Sequence, residues 1–236
     1  MSLEENVRQV KENIAAAARE VGRDPAGITL VAATKVQTDD TVRAAIAAGI
    51  TVCGENRVQE MTAHLEANAY AGAALHFIGH LQTNKVNKVV GRVNLIESVG
   101  SEHLLEAIHK EAAKLGLVQN ILLEVNVGGE ESKSGVAPGD VKALAKRAME
   151  LPHVRLRGLM AIPPVAGPEG NRQFFHEMHQ LFVDIRREIA DNESEIDCLS
   201  MGMSGDYTDA VREGATLVRV GTALFGARPP MRPKTK

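Results

Sequence analysis

The stretch ITLVAATKVQTDDTVRAAIAAGITVCGEN, residues 28–56, holds the pattern that decides the fold. It opens on Ile28, Leu30, Val31, Ala32 and Ala33, a short and nearly continuous apolar run of the kind found in strands covered on both faces. A polar turn follows, then the helix-period segment DTVRAAIAAG, then a second strand pattern, TVCGEN. Lys35 closes the first strand, and an amine at the end of a buried strand asks for a chemical reason.

The same alternation runs through the chain. Strand patterns fall at 28–35, 51–56, 75–80, 94–100, 120–127, 154–162, 196–202 and 216–226. Helical segments rich in Ala, Leu, Glu and Lys lie between them. In SEHLLEAIHKEAAKLG, Ser101 has the character of an N-cap and Gly116 of a C-terminal stop. The opening MSLEENVRQVKENIAAAAREVG reads as an extra amphipathic helix ahead of the first strand. Eight strands alternating with helices in 236 residues predict an α/β fold, a single (β/α)8 TIM barrel with an additional N-terminal helix. A doubly wound open sheet fits the alternation too, but the strand count and the absence of any composition break favour the barrel. No linker or low-complexity tract marks a boundary, so one domain is expected over residues 1–236, with the Pro/Gly-rich IPPVAGPEGN (162–171) as a loop.

Composition narrows the function classes. A net charge of −3 with no long basic block gives no support for nucleic-acid binding, and the mildly basic NKVNKVVGR (84–92) is too short to change that. No apolar run is long enough to span a bilayer, and the acidic N-terminus lacks the apolar core of a secretory signal. Cys53 and Cys198, far apart and within strand patterns, read as reduced core thiols. A cytoplasmic protein is expected.

In a barrel, chemistry belongs to the C-terminal strand ends and the loops after them. The last two ends carry SMGMSGDYTDAV and RVGT. Gly202 lets backbone approach a ligand, Ser204 is placed to begin a helix, and Gly221 and Thr222 add an N–H and a hydroxyl. Together they suit a phosphate held between strands seven and eight. Each residue alone is better explained by capping or packing, and it is their pairing on adjacent strands that brings the phosphate site level. Lys35, among apolar neighbours, is the type of amine that desolvation keeps neutral and nucleophilic, able to form a Schiff base with a carbonyl compound such as pyridoxal phosphate. Arg219 shares a strand side with Gly221 and can direct its guanidinium at the pyridine nitrogen, which weakens that cofactor as an electron sink.

At this point LVAATK, GENRVQE, HFIGHLQTNKV, ESKSG, RGLMAI, LSMGMSGD and VRVGTALFG resemble, in order, the motifs of the YggS/PROSC family of pyridoxal phosphate homeostasis proteins. The resemblance covers nearly the whole chain. It implies a fold-type III barrel similar to the N-terminal domain of alanine racemase, binding pyridoxal 5'-phosphate without an established turnover. It places the Schiff base on Lys35 and phosphate contacts at Ser200, Gly202, Ser204, Gly221 and Thr222. It sets Arg219 near the pyridine ring and Asn56 in the pocket wall, and it makes Lys133 a second, transferable attachment point. Thr34, where serine is more usual, and Gln37-Thr38, in place of a proline-containing turn, depart from the family's first loop.

The resemblance also implies delivery of the cofactor to apo-enzymes, and the lack of a racemase-type partner domain in the sequence makes a monomer the expectation. The rival is a racemase of the same barrel type, which needs a second base on the far face of the substrate carbon. In alanine racemases that base is a tyrosine from a C-terminal β-domain of the partner subunit. Here ARPPMRPKTK (227–236) follows the last strand pattern, and the two tyrosines are Tyr70, in a helix–loop region, and Tyr207, expected on a helix surface. No catalytic residue is therefore assigned. A cofactor-free Schiff-base aldolase would need Lys35 but not Arg219. His176 and His179 have the wrong spacing for a zinc helix, and His76 and His80 read as strand-end packing or hydrogen bonding, so no metal site is expected.

Overall fold

The computed structural model describes residues 2–130, 133–164, 170–188 and 196–226. Its strands are β1 Thr29–Ala33, β2 Val52–Glu55, β3 Ala74–Phe77, β4 Leu95–Val99, β5 Gln119–Val125, β6 Val154–Ala161, β7 Cys198–Ser200 and β8 Leu217–Val220. They run parallel and pair in sequence order, and β8 returns to β1 to close a barrel. The open-sheet alternative is thereby removed.

The helices are α1 Leu3–Glu20, α2 Asp39–Ala47, α3 Val58–Glu66, α4 Glu102–Leu115, α5 Val141–Met149, α6 Arg172–Glu188, α7 Tyr207–Arg212 and α8 Thr222–Phe225. Local chemistry sets their ends. Ser2 and Glu5 form a reciprocal capping box at the start of α1, and Val7, Val10, Ile14, Ala17 and Ala18 give that helix one buried face. That face packs against α7 and α8, so the extra helix covers the barrel beside β8. Ser101 Oγ accepts the Leu104 N–H, and Gly116 ends α4 at φ 65°, a left-handed conformation open to glycine.

Two expected elements differ. The strand pattern at 216–226 stops at Val220, because Gly221 turns the chain and TALF coils into α8. Between β3 and β4 the connection is a 3-10 helix, Thr83–Lys88, in place of an α-helix. Part of the 162–171 loop and the whole of 227–236 lie outside the described residues.

The barrel interior explains where polarity begins. Val31, Val52, Leu95, Leu122, Met160 and Leu217 form a buried apolar cluster separate from the larger core between barrel and helices. Side chains two residues apart on a strand face the same side. One step further along, that side carries Gly54, His76, Glu97, Glu124, Ser200 and Arg219. The apolar plug thus supports a polar layer beneath the C-terminal mouth.

Candidate functional site

A cavity of about 380 Å³ opens at this mouth, lined among others by Lys35, Asn56, Ser204, Arg219, Gly221 and Thr222, with Ile78, Ile162 and Met203 as apolar wall. Its volume is in the range of small-molecule sites, about 300–1,000 Å³. Six of the nine residues expected at a cofactor site therefore meet around one space.

Lys35 stands just past the end of β1, after Thr34, and is half-buried. Its neighbours hold it on both sides. Thr34 Oγ1 donates to Glu55 Oε1 at 2.6 Å, which anchors the end of β1 to β2 and gives the threonine a definite task. Val36 lies at φ 59°, unusual for a β-branched residue, and its N–H donates to Glu60 Oε2 at 2.8 Å. Glu55 is fully buried between barrel and helices, and burial raises its pKa, partly offset by the hydrogen bond from Thr34.

Asn56 is fixed by a close backbone approach. A Cβ on Gly79 would stand 2.1 Å from the Asn56 carbonyl oxygen, so β2 and β3 can come together here only over a glycine. The Asn56 Oδ1 is buried and has no hydrogen-bond partner among the described residues. A buried acceptor without a donor costs roughly 1–3 kcal/mol, and a bound ligand would supply one.

A candidate anion cradle is built from the segments that follow β7 and β8. Ser204 Oγ accepts the N–H of Gly221 at 3.1 Å and that of Ala223 at 3.2 Å, so two backbone donors converge on one oxygen beside the cavity. Helix α7 begins at Tyr207 with Asp206 at its cap, so Ser204 does not start it. Gly202 does not line the cavity. At φ 89° its hypothetical Cβ would meet Ala210 Cβ at 2.5 Å, so this glycine lets β7 turn closely under α7.

Ser200 faces inward, away from the cradle. Its Oγ accepts from Arg219 Nη1 at 2.5 Å and donates to Glu97 Oε2 at 2.5 Å. Arg219 Nη2 donates to the Ala161 carbonyl at 2.8 Å, and His76 Nδ1 meets Glu97 Oε1 at 2.7 Å. Burial pushes the Glu97 carboxyl up, but His76, Arg219 and Ser200 together hold it below its ordinary range. Burial also lowers Arg219, against the attraction of Glu97, Glu124 and Asp206. Glu124, the remaining acid of this layer, is raised by burial, partly offset by Ser134, His80 and Arg219.

Lys133 lies on the loop after β5, apart from the residues that line the cavity. Its Nζ donates to the Pro163 carbonyl at 3.0 Å and pairs with Glu130. Residues 131–132 of ESKSG are outside the described residues. Tyr207 is buried, contrary to the expected helix surface, and Asn13 Nδ2 donates to its hydroxyl at 2.9 Å. Neither tyrosine lines the Lys35 cavity. His76 is an interior hydrogen-bond partner of Glu97, in keeping with the packing or hydrogen-bonding role expected of it. Among the described residues no cluster of three or more His, Cys, Asp and Glu could hold a metal, and no helix is long and apolar enough to cross a membrane.

Closed barrel, strand-end lysine and β7–β8 cradle together define a protein of the alanine racemase N-terminal-domain class, and the sequence profile of that domain matches residues 5–229. The pyridoxal phosphate homeostasis protein of Aquifex aeolicus is 43% identical over 225 residues, covering 95% of this chain and 97% of that protein. The homeostasis protein of Pseudomonas aeruginosa is 42% identical over 228 residues, covering 96% of each. Among solved structures, PipY of Synechococcus elongatus with pyridoxal phosphate bound superposes with a TM-score of 0.79 at 32% identity, over 92% of this chain and 100% of that one. An alanine racemase of Clostridium difficile in complex with cycloserine shares the fold at 13% identity, with a TM-score of 0.72 over 95% of this chain and 60% of its own. The chain belongs to the family of pyridoxal phosphate homeostasis proteins.

Proposed function

We propose that the chain, as one barrel domain over residues 1–236, binds pyridoxal 5'-phosphate at this mouth and holds it for delivery without catalytic turnover. The convergence of Lys35, Asn56, Arg219 and the Ser204–Gly221 cradle on one cavity is the observation that carries the reading. The residues present fit the group. Asn56 Oδ1 offers an acceptor awaiting a donor, Ser204 gathers the Gly221 and Ala223 N–H groups at the cavity edge where an anion can take them over, and Arg219 offers a fixed cation to a ring nitrogen.

When bound, the cofactor supplies an aldehyde, which condenses with a primary amine and releases one water. Lys35 Nζ provides that amine. Ser204, Gly221 and Thr222 hold the phosphate, with Gly202 shaping the turn beneath them and Ser200 acting through Arg219. Lys133, outside the cavity wall, is the second attachment point in transfer. The working protein is a cytoplasmic monomer, and its partners are apo-enzymes that require the cofactor. PipY, with the cofactor bound, and the homeostasis relatives support this reading.

The test is transfer. Cofactor-loaded protein is incubated with an apo form of a pyridoxal phosphate enzyme, and recovered activity is followed beside racemisation of alanine enantiomers. Recovery of activity at a rate above free release, with no racemisation, supports the carrier. Sustained racemisation by the loaded chain would make it an enzyme.

A further inference from the structure

The polar layer under the cavity contains an acid whose position gives it influence over the cofactor. Glu97 sits mid-strand on β4 with no exposure, and its two oxygens are divided between His76 on β3 and Ser200 on β7. Ser200 hands its contact on to Arg219, which is 4% exposed and also tied to the end of β6 through the Ala161 carbonyl. Glu97 Oε2 and Arg219 Nη1 are themselves 3.9 Å apart. Four strands thus contribute to a single chain of contacts, His76–Glu97–Ser200–Arg219, that ends on the cavity floor.

We infer that Glu97 is a positioning residue for Arg219, aiming the guanidinium through Ser200 and offsetting its charge beneath the bound cofactor. The inference rests on the pyridoxal phosphate reading and deepens it. A guanidinium has five donors in a rigid plane, so two anchored nitrogens fix its direction. Burial of one cation without an anion is costly, whereas a buried pair with further hydrogen bonds persists. Without Glu97 only Glu124 and Asp206 would remain to offset the guanidinium charge.

Other charged groups face this pair, and none replaces the acid. Glu124 on β5 is raised by burial and so favours its neutral form. Asp206, in the β7–α7 connection, is hydrogen-bonded by Asn171 and by the Met203 N–H. His76 is on the far side of Glu97 from Arg219, and His80 acts on Glu124. Cys198, on β7 beside Glu97, has its thiol pushed up to about 12 and stays neutral. Lys35 is on the cavity wall, where it meets the cofactor.

The readout is electrostatic. The protonated Lys35 linkage is cationic, so a negative charge beneath it raises the pH at which its visible band titrates, and loss of that charge lowers it. Glu97→Gln keeps the size and an acceptor for hydrogen bonding but removes the charge. The full chain, as wild type, Glu97→Gln and Ser200→Ala, is loaded with pyridoxal 5'-phosphate and its visible absorbance is titrated against pH, with thermal unfolding in parallel.

For Glu97→Gln the cofactor remains bound and the midpoint falls by about one pH unit. For Ser200→Ala both charges remain, so the midpoint moves less, while the cofactor binds about tenfold more weakly because Arg219 is no longer aimed. A Glu97→Gln protein with a lower melting temperature but the wild-type midpoint would reduce the residue to a structural role and overturn the inference. If that variant does not fold, Ser200→Ala decides, and wild-type affinity there overturns it equally. A wild-type chain that takes up no cofactor overturns the binding reading itself, an outcome separate from an unmoved midpoint in a coloured variant.

Discussion

Ser204 Oγ lies 3.1 Å from the Gly221 nitrogen, across 17 residues of sequence, and the same oxygen receives the Ala223 N–H. This contact joins the loop after β7 to the turn after β8 and sets two N–H groups at the cavity edge. Ser204→Ala removes the hydroxyl and leaves both donors without it. Affinity for pyridoxal 5'-phosphate is expected to fall about tenfold, equivalent to about 1.4 kcal/mol, read from a titration of visible absorbance. Unchanged affinity would remove Ser204 from the cradle.

Glu124 has the opposite linkage to an ordinary surface acid. Its folded pKa is raised above the usual 4.5, so its contribution to stability is complete below that value and is lost as pH rises through the folded pKa. Glu124→Gln is therefore expected to flatten the fall in stability between pH 5 and pH 8. Glu55 has the same sign and keeps part of the slope. Urea midpoints at the two pH values measure it, and a variant with the full wild-type slope would contradict the assignment.

The thiols should be quiet. Burial, with Glu55 nearby, pushes Cys53 up to about 12, and burial with Asp197 does the same for Cys198. At pH 8 only about one thiol in ten thousand is then the reactive thiolate. A colorimetric thiol assay on native protein is expected to show no fast phase, with both cysteines reacting after denaturation. A rapid native reaction at either site would mean a far less buried thiol.

Val36 holds a left-handed backbone at φ 59° directly after Lys35. Such strain in a β-branched residue is on the order of 1–3 kcal/mol, and glycine relieves it while adding about 0.5–1 kcal/mol of chain entropy. Val36→Gly is expected to be more stable by about 1 kcal/mol, a rise in Tm of about 3 °C by calorimetry. A lower Tm would show that the turn gains from the valine more than it costs.

Much of this architecture is legible in the sequence, and the reasons are specific. The apolar runs at 28–35 and 94–100 mark strands because a barrel strand is covered on both sides. Ser101 and Gly116 mark both ends of α4 because capping is local chemistry. Lys35, Arg219, Gly221 and Thr222 stand out because strand ends form the mouth. The strand at 216–226 was over-long because TALF is as apolar as a strand, and only the turn at Gly221 separates them.

The interior relay was the hidden part. Glu97 within LIESV and His76 within ALHF are polar residues on the inward face two positions after apolar ones, a signal present in the pattern. What sequence could not supply is that β3, β4, β7 and β8 bring them to Ser200 and Arg219. Ser200 shows the same limit. Its place in LSMGMSGD suggests the phosphate, while its inward side on β7 joins it to Glu97 and Arg219.

The central claim is that Lys35 holds pyridoxal 5'-phosphate. The most direct measurement is borohydride reduction of the loaded protein followed by tryptic peptide mapping. A reduced lysine resists cleavage, so the account predicts a pyridoxyl-bearing fragment running from Asp24 to Arg43 with the adduct on Lys35. A protein that acquires no adduct, or carries it at Lys133 with Lys35 unmodified, would contradict it.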